Sequence, residues 1–319
     1  MKSPLRVVFM GTPDFAVPSL KALAAERELV DLVAVYTQPD RPAGRGQNLK
    51  KSAVKLAAED LGIQVFQSEN INLPEEVRRL ADHLADVVVV VAYAQFLGAA
   101  ILNTPRLGCL NVHSSLLPKF RGAAPIQFAI WTGEKESGVT IMRLVRKMDA
   151  GPILMQEKLA IPDTMTAREL HDQLAILGAQ ALVKTLEGLR SGTVNEVEQN
   201  ESQATYAALI RKEDGLLDFS KSGVELLGQI RALNPWPGVF YKSRRGILKV
   251  HRARFENQLK QFGTGENISA NVAIFGGQLF LRCSDGWIEV LEIQPEGKKA
   301  MTTAEFLNGV RSSEELEII

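Results

Sequence analysis

The sequence is poor in cysteine. Its 319 residues include only two, Cys109 and Cys283, far apart and without metal-knuckle spacing. Two isolated thiols exclude a disulfide framework and a zinc site, leave no metal to expect, and suit the reducing cytoplasm. Long apolar runs are missing too. DVVVVVAYA, from Asp86 to Ala94, falls far short of the roughly 20 residues that span a bilayer, and MKSPLRVVFMG has too brief an apolar run for a signal peptide. We therefore expect no membrane segment and no export. Net charge is absent: 37 Lys and Arg balance 37 Asp and Glu. Any affinity for a polyanion must then come from local clusters and not from the overall field. There are four histidines, so each one's position carries weight.

What is present is ordinary for a globular chain, with 45% hydrophobic and 23% charged residues. The length points to two domains, each able to bury a core. LRVVFMG reads as a strand and PDFAVPSLKALAAE as a helix. The alternation continues through LVDLVAVYTQ, SAVKLAAEDLG, IQVFQ, LPEEVRRLADHL, DVVVVVA and GCLNVH. Strands alternating with helices predict an α/β fold with a doubly wound, mostly parallel, Rossmann-like sheet, because parallel neighbours need crossover helices. A helix in AAPIQFAIWTG, a strand in SGVTIMRLV and a long helix from TARELH to RSG complete a catalytic domain over residues 1–190. The polar stretch that follows predicts a linker over 191–206. From 207 to 319 one helix, the NPWPG turn and short runs broken by FGG and SDG predict a small β-barrel, with an OB-like barrel one candidate.

The first strand runs into GTPDFAVP, where a dinucleotide fingerprint would place three glycines. Only Gly11 is there; Pro13 and Ala16 hold the other places. Proline has no N–H to offer a pyrophosphate, and the first acid beyond the second strand, Asp40, comes late for a ribose. This segment reads as a tight turn.

The chemistry concentrates in GCLNVHSSLLPKFRG. Asn111 and His113 are two apart on a strand, so both project to one side where it ends, and ligands of open α/β sheets bind outside the carboxyl ends of strands. Asp149, 36 residues beyond His113, follows the strand VTIMRLV and is expected to emerge at the same end. An amide, an imidazole and a carboxylate suit acyl transfer through a tetrahedral intermediate. Asn111 and a ring N–H of His113 would donate to the oxyanion while Asp149 orients the ring. Ser114 and Ser115 lack the G-x-S-x-G elbow, so the attacking group is expected to be a second substrate. Leu116, Leu117 and Pro118 offer an apolar wall, and the backbone of Ser115 to Pro118 a hydrogen-bonding edge, for a flat heterocycle.

NVHSSLLPKFRG followed by MDAGPI resembles the folate-dependent formyltransferases. VVFMGTPDFAVPSL, VYTQPDRPAGRGQ, RGAAPIQFAI, RALNPWPG and IQPEGKKAM extend the likeness, over nearly the whole chain, to the branch of that family that acts on methionyl-tRNA. The resemblance implies formyl transfer from 10-formyltetrahydrofolate to the α-amino group of methionine on initiator tRNA. It also implies Asn111, His113 and Asp149 as the catalytic set and Ser115, Leu116, Leu117 and Pro118 as folate contacts. One departure stands out: relatives usually carry a glycine after AY and often a proline soon after, where this chain has Ala94 and Gln95.

Two basic clusters are candidates for the tRNA. QPDRPAGRGQNLKKSAVK holds Arg41, Arg45, Lys50, Lys51 and Lys55 against Asp40 and reads as a flexible loop after the second strand. In the resembled family this loop enters the acceptor end, which makes Arg41 the leading contact. YKSRRGILKVHRARF holds Lys242, Arg244, Arg245, Lys249, Arg252 and Arg254 with no acid, a stripe able to neutralise phosphates. Lys298 and Lys299 extend it. No long apolar surface helix stands out, so a monomer is expected. A formyltransferase for a lone nucleotide would need no C-terminal domain, and a noncatalytic RNA-binding protein would leave the Asn, His, Asp set unexplained.

Overall fold

Valine-rich runs bounded by turn residues build the first sheet. The computed structural model describes residues 3–43, 48–258 and 267–319, which form two compact units. The first comprises Met1–Pro125, Glu136–Ala160 and His171–Ala207, the second Ile126–Lys135, Ile161–Leu170 and Ala208–Ile319. In the first, strands β1 (Leu5–Gly11), β2 (Val30–Thr37), β3 (Val65–Gln67), β4 (Val87–Val91), β5 (Cys109–His113), β6 (Glu136–Arg143) and β7 (Ile153–Ala160) make one sheet in the order β7-β6-β5-β4-β1-β2-β3. β1 to β5 are parallel, β6 runs against them, and β7, antiparallel to β6, returns to their direction.

Every residue of β4 is buried, which is why five valines fit there: a central parallel strand is covered on both faces. Edge strand β7 alternates half-buried and exposed residues instead. Helices α1 (Val17–Ala25), α2 (Ala53–Asp60), α3 (Pro74–Asp82), α4 (Ala99–Leu102), α5 (Pro125–Trp131) and α6 (Ala167–Ser191) follow in chain order. α1 carries proline at its second position and α3 at its first, where the missing N–H has no partner to lose in the first turn. Ser52 caps α2 by accepting from Lys55 N. Met10, Tyr36, Leu80, Val88, Tyr93, Ile101 and Cys109 pack in one core cluster. Each large apolar side chain buried there stabilises by about 1.5–3 kcal/mol.

The turn after β1 closes on itself. A Cβ on Gly11 would lie 2.9 Å from Ala16 Cβ and 3.0 Å from Val91 O. Thr12 Oγ1 and Gln38 Nε2 both donate to Tyr93 O at 3.1 Å.

Strand direction corrects one expectation. Thr140 of β6 faces His113 and Arg143 faces Leu110, so β6 ends at the opposite end of the sheet from His113. Asp149 does not emerge beside His113 from a strand end; residues 144–152 double back to reach it. Gly151 makes the return possible, since a Cβ there would sit 1.8 Å from Arg143 O.

The segment expected as a linker, 191–206, is packed into the first unit. Val197 exchanges backbone hydrogen bonds with Ile153 at 2.8 and 2.9 Å, and Tyr206–Ala207 pairs in parallel with Arg121–Gly122.

The second unit holds α7 (Gly223–Ala232) and strands β8 (Val239–Ser243), β9 (Gly246–Glu256), β10 (Asn267–Ile268), β11 (Val272–Phe275), β12 (Gln278–Arg282), β13 (Trp287–Pro295) and β14 (Met301–Thr302). All pairs are antiparallel, in the order β8-β9-β13-β12-β11-β10 with β14 on β13. The C-terminal segment bridges the span: Ile318 pairs with Ser243 of β8, while its N–H and C=O bond the side chain of Asn271 beside β11. The expected small β domain is thus an antiparallel sheet whose first strand is tied by the chain's own end to residue 271. Among the described residues no helix is long and apolar enough to cross a membrane, and no cluster of three or more His, Cys, Asp or Glu could hold a metal.

Candidate active site

A cavity of about 360 Å³ opens at the carboxyl ends of β4 and β5, walled by residues 92–97, α4 and the returning loop, with Asn111 and Asp149 in its lining. This is where the topology of an open α/β sheet puts ligands. Its wall is mostly apolar, and Phe96 and Met148, 64% and 69% exposed, line it from the solvent side. In the 92–97 segment Ala92 and Ala94 adopt left-handed backbone, φ 47° and 66°. The departure noted in the sequence therefore falls on a position where glycine would be unstrained. Gln95 staples the segment: its Oε1 accepts from Ile71 N at 2.8 Å and its Nε2 donates to Ser68 O at 2.7 Å.

Asn111 and His113 project from the same side of β5, as their spacing requires. Among the described residues nothing hydrogen-bonds the Asn111 carboxamide, which leaves it free toward the cavity it lines. His113 is buried. Its Nε2 lies 3.0 Å from Phe120 O, and since a carbonyl only accepts, that nitrogen carries the hydrogen. Its Nδ1 is 3.8 Å from Asp149 Oδ2, an approach close enough for charge but too long for a hydrogen bond. Asp149 Oδ2 in turn accepts from Gly122 N at 2.8 Å. The structure thus brings Asn111, His113 and Asp149 to one place. The expected ring N–H for an oxyanion meets a ring whose Nε2 is committed to Phe120, and the unengaged donor is Asn111.

The Ser115 to Pro118 segment is occupied internally. Ser115 O accepts from Thr140 Oγ1 at 2.6 Å and Leu117 O from Gln156 Nε2 at 2.9 Å, while Leu117 N donates to Thr140 Oγ1 at 3.1 Å. Ser115 and Leu117 are buried, Leu116 and Pro118 half-buried, and none lines the 360 Å³ cavity. That wall comes from residues 92–97 and 144–149, which composition marked only as a strand end and a turn.

The basic clusters divide into paired and unpaired cations. In the first, residues 41–43 and 48–50 form a short antiparallel hairpin where a flexible loop was expected; Arg45 lies outside the described residues. Arg41 bonds Glu69, Lys51 bonds Glu59, and Lys55 bonds Asp40 and Gln67. Lys50 is exposed, with no acidic partner among the described residues. In the second, Arg244 pairs with Glu317, Arg245 with Glu315, and Arg254 with Glu289 and Glu256. Lys242, Lys249 and Arg252 have no ion pair among the described residues.

Comparison with known proteins decides the family. A formyl transferase model matches residues 5–186, and the model of the formyl transferase C-terminal domain matches residues 209–311. The methionyl-tRNA formyltransferase of Lachnospira eligens is 45% identical over 96% of this chain and 96% of its own length. The chain belongs to the methionyl-tRNA formyltransferase family. The enzyme of the same name from Nitratidesulfovibrio vulgaris strain DP4 is 43% identical over 97% of this chain and 94% of its own. Among solved structures, WlaRD, a sugar 3N-formyltransferase crystallised with dTDP and 5-N-formyl-tetrahydrofolate, superimposes with a TM-score of 0.65. At 20% identity over 92% of this chain and 99% of its own, it shares the fold.

Proposed function

We propose that the protein formylates initiator methionyl-tRNA in the cytoplasm, taking the formyl group from 10-formyltetrahydrofolate and placing it on the α-amino group of methionine. The observation that carries this reading is a free Asn111 carboxamide and the Asp149 carboxylate, with His113 behind it, facing one apolar-walled cavity. Membership of the family supports it. A flat pterin suits the apolar walls, and the Phe96 and Met148 rim would shield it from water.

In this reading the amine attacks the formyl carbon, a C–N bond forms to the amine, and the bond to the folate nitrogen breaks. Asn111 donates to the oxygen as it gains charge. The proton lost by the amine leaves by way of the His113 and Asp149 pair and returns to the departing folate nitrogen. An α-amino group ionises at about 7.7–8.0, so near neutrality a useful fraction is already uncharged and orientation matters more than a strong base. The tRNA meets Arg45, the exposed Lys50 and Lys242 and the half-buried Lys249, together with Arg41, Lys51, Arg244 and Arg245 once phosphates replace their carboxylate partners.

The test is formyl incorporation from 10-formyltetrahydrofolate into charged initiator tRNA, run beside an aminosugar nucleotide. Incorporation into the tRNA alone is the expected result. Incorporation into the sugar alone would move the chain to the specificity of its structural neighbours.

A further inference from the structure

Asp149 has a left-handed backbone, φ 50°, which costs a non-glycine residue about 1 kcal/mol or more and persists only where the surroundings over-determine it. The surroundings are a buried arginine and two residues of the segment that reads as a linker. We propose that Arg121, Gln199 and Glu201 are positioning residues for Asp149, with the Gln199 amide fixing the loop that carries the carboxylate. The proposal rests on the functional reading above.

The bonds form one connected set. Gln199 Nε2 donates to Asp149 O at 2.9 Å and to Gly151 O at 2.7 Å. Gln199 Oε1 accepts from Arg121 Nε at 3.1 Å and Nη2 at 2.7 Å. With both ends of the amide engaged, its orientation is unique, since nitrogen must face the carbonyls and oxygen the guanidinium. Arg121 is fully buried, and its remaining donors meet both carboxylate oxygens of Glu201 at 3.0 and 3.1 Å, a planar two-point fit. Glu201 also accepts from Lys147 Nζ at 2.7 Å, two residues before Asp149. These two cations, Arg121 foremost, hold the Glu201 carboxyl at about 2, so the clamp stays charged wherever the enzyme would work.

The backbone completes the arrangement. Arg121 N and Ala123 N donate to Thr205 O and Ala207 O, both at 2.9 Å. Strand alternation turns the intervening Gly122 N–H the other way, onto the Asp149 carboxylate. Two residues before Gly122, Phe120 supplies the carbonyl that holds His113. The same short stretch thus fixes both members of the His113 and Asp149 pair. An apolar plug would fill the crevice without the cost of burying a guanidinium, yet it would give the carbonyls of residues 149 and 151 no donor.

Gln199→Glu separates positioning from packing. It keeps the size and the acceptor for Arg121 but sets a carboxylate oxygen against the two carbonyls. In the full-length protein, kcat is expected to fall about 10- to 100-fold, the cost of misplacing a reacting group by a fraction of an ångström to an ångström. KM for the formyl donor and for methionyl-tRNA should stay within about twofold, as both binding surfaces are untouched. Glu201→Gln, at a half-exposed position, loosens the guanidinium without opening a buried gap, and a kcat loss of about threefold or more is expected. Both variants showing kcat within twofold of the parent, or a loss confined to melting temperature, would overturn the proposal. An inactive parent in the same assay would instead strike the functional reading beneath it.

Discussion

The Asp149 loop and the basic surfaces are both crowded with charge, and they are built in opposite ways. Around Asp149 the donors and acceptors are matched inside the protein, and the central cation, Arg121, is wholly withdrawn from water. On the surfaces the pairs stay wet: Arg41 and Glu69 touch at 2.6 Å, but their side chains are 62% and 67% exposed. Such a pair contributes about 0–1 kcal/mol and is readily traded for another anion. Acyl transfer needs groups held within a fraction of an ångström, whereas phosphate recognition needs charge that can change partners. In the reading proposed above, the hydrogen bonds of the buried amide and guanidinium would meet the first need and the exchangeable ion pairs the second.

The sharpest way to break this comparison is Asp149→Asn. The amide oxygen can still accept from Gly122 N, so the loop keeps its anchor and the circular dichroism spectrum should be unchanged. The charge beside His113 is lost, and formyl incorporation should fall by about 10³–10⁴, as when a carboxylate partner of a catalytic imidazole is neutralised. Activity near that of the parent would take Asp149 out of the mechanism and leave the buried bonds around it without a purpose.

On the exchangeable side, removing Lys242 and Lys249 together should raise KM for methionyl-tRNA with kcat at saturation unchanged. Between about 50 and 200 mM salt the parent should lose affinity by orders of magnitude, and the double variant should show a logarithmic salt slope shallower by about two. KM for the formyl donor, measured over the same series, should stay level. A flat salt response in the parent would mean that the surface pairs do not exchange.

The two regions were not equally legible. Asn111 and His113 could be placed because strand alternation is short-range: two residues apart on a strand that ends at the ligand side leaves little freedom. Asp149 reaches His113 by another route than expected, since nothing in VTIMRLV reveals that the strand runs antiparallel and that Gly151 lets the chain turn back against Arg143 O. Gln199 and Glu201 could not be read at all. They lie in a polar stretch without periodicity, and their role depends on side-chain hydrogen bonds to residues 48 to 80 positions away. Arg121 gave a faint signal, a lone cation in FRGAAP with no acid beside it. The parallel sheet and the antiparallel strands of the second unit were legible because burial periodicity and turn residues act along the chain, whereas the bridge from Ile318 to Ser243 is a long-range contact.

A smaller effect probes the interior beneath the site. Burial pushes the Cys109 thiol from an ordinary 9.0 up to about 12. Below pH 9 folded and unfolded chains both hold the proton, so the residue adds no pH dependence. Above it only the unfolded chain ionises, and stability falls with rising pH until the folded thiol also titrates. The stability gap between the parent and Cys109→Ala should therefore narrow by about 1 kcal/mol between pH 8 and pH 10. Buried Tyr36, Tyr93 and Tyr241 are raised as well, but they are common to both proteins and cancel. A gap constant with pH would show that water reaches Cys109, and with it the strand that presents Asn111.

The smallest effect lies in the 92–97 segment, which borders the same cavity as the Asp149 loop but is held by fewer bonds. Ala94 at φ 66° bears the penalty of a side chain in left-handed backbone, about 1–2 kcal/mol by steric crowding. Ala94→Gly removes that penalty and adds freedom to the unfolded chain worth about 0.5–1 kcal/mol. The expected net gain is about 0.5 kcal/mol, a rise in melting temperature of a degree or two for a chain of this size. If the Gln95 staple to Ser68 and Ile71 holds the segment, KM for the formyl donor should not move, because the wall keeps its shape whichever residue occupies position 94. A large rise in that KM would show that the strained alanine itself shapes the cavity, and that over-determined backbone serves both of its walls and not the Asp149 loop alone.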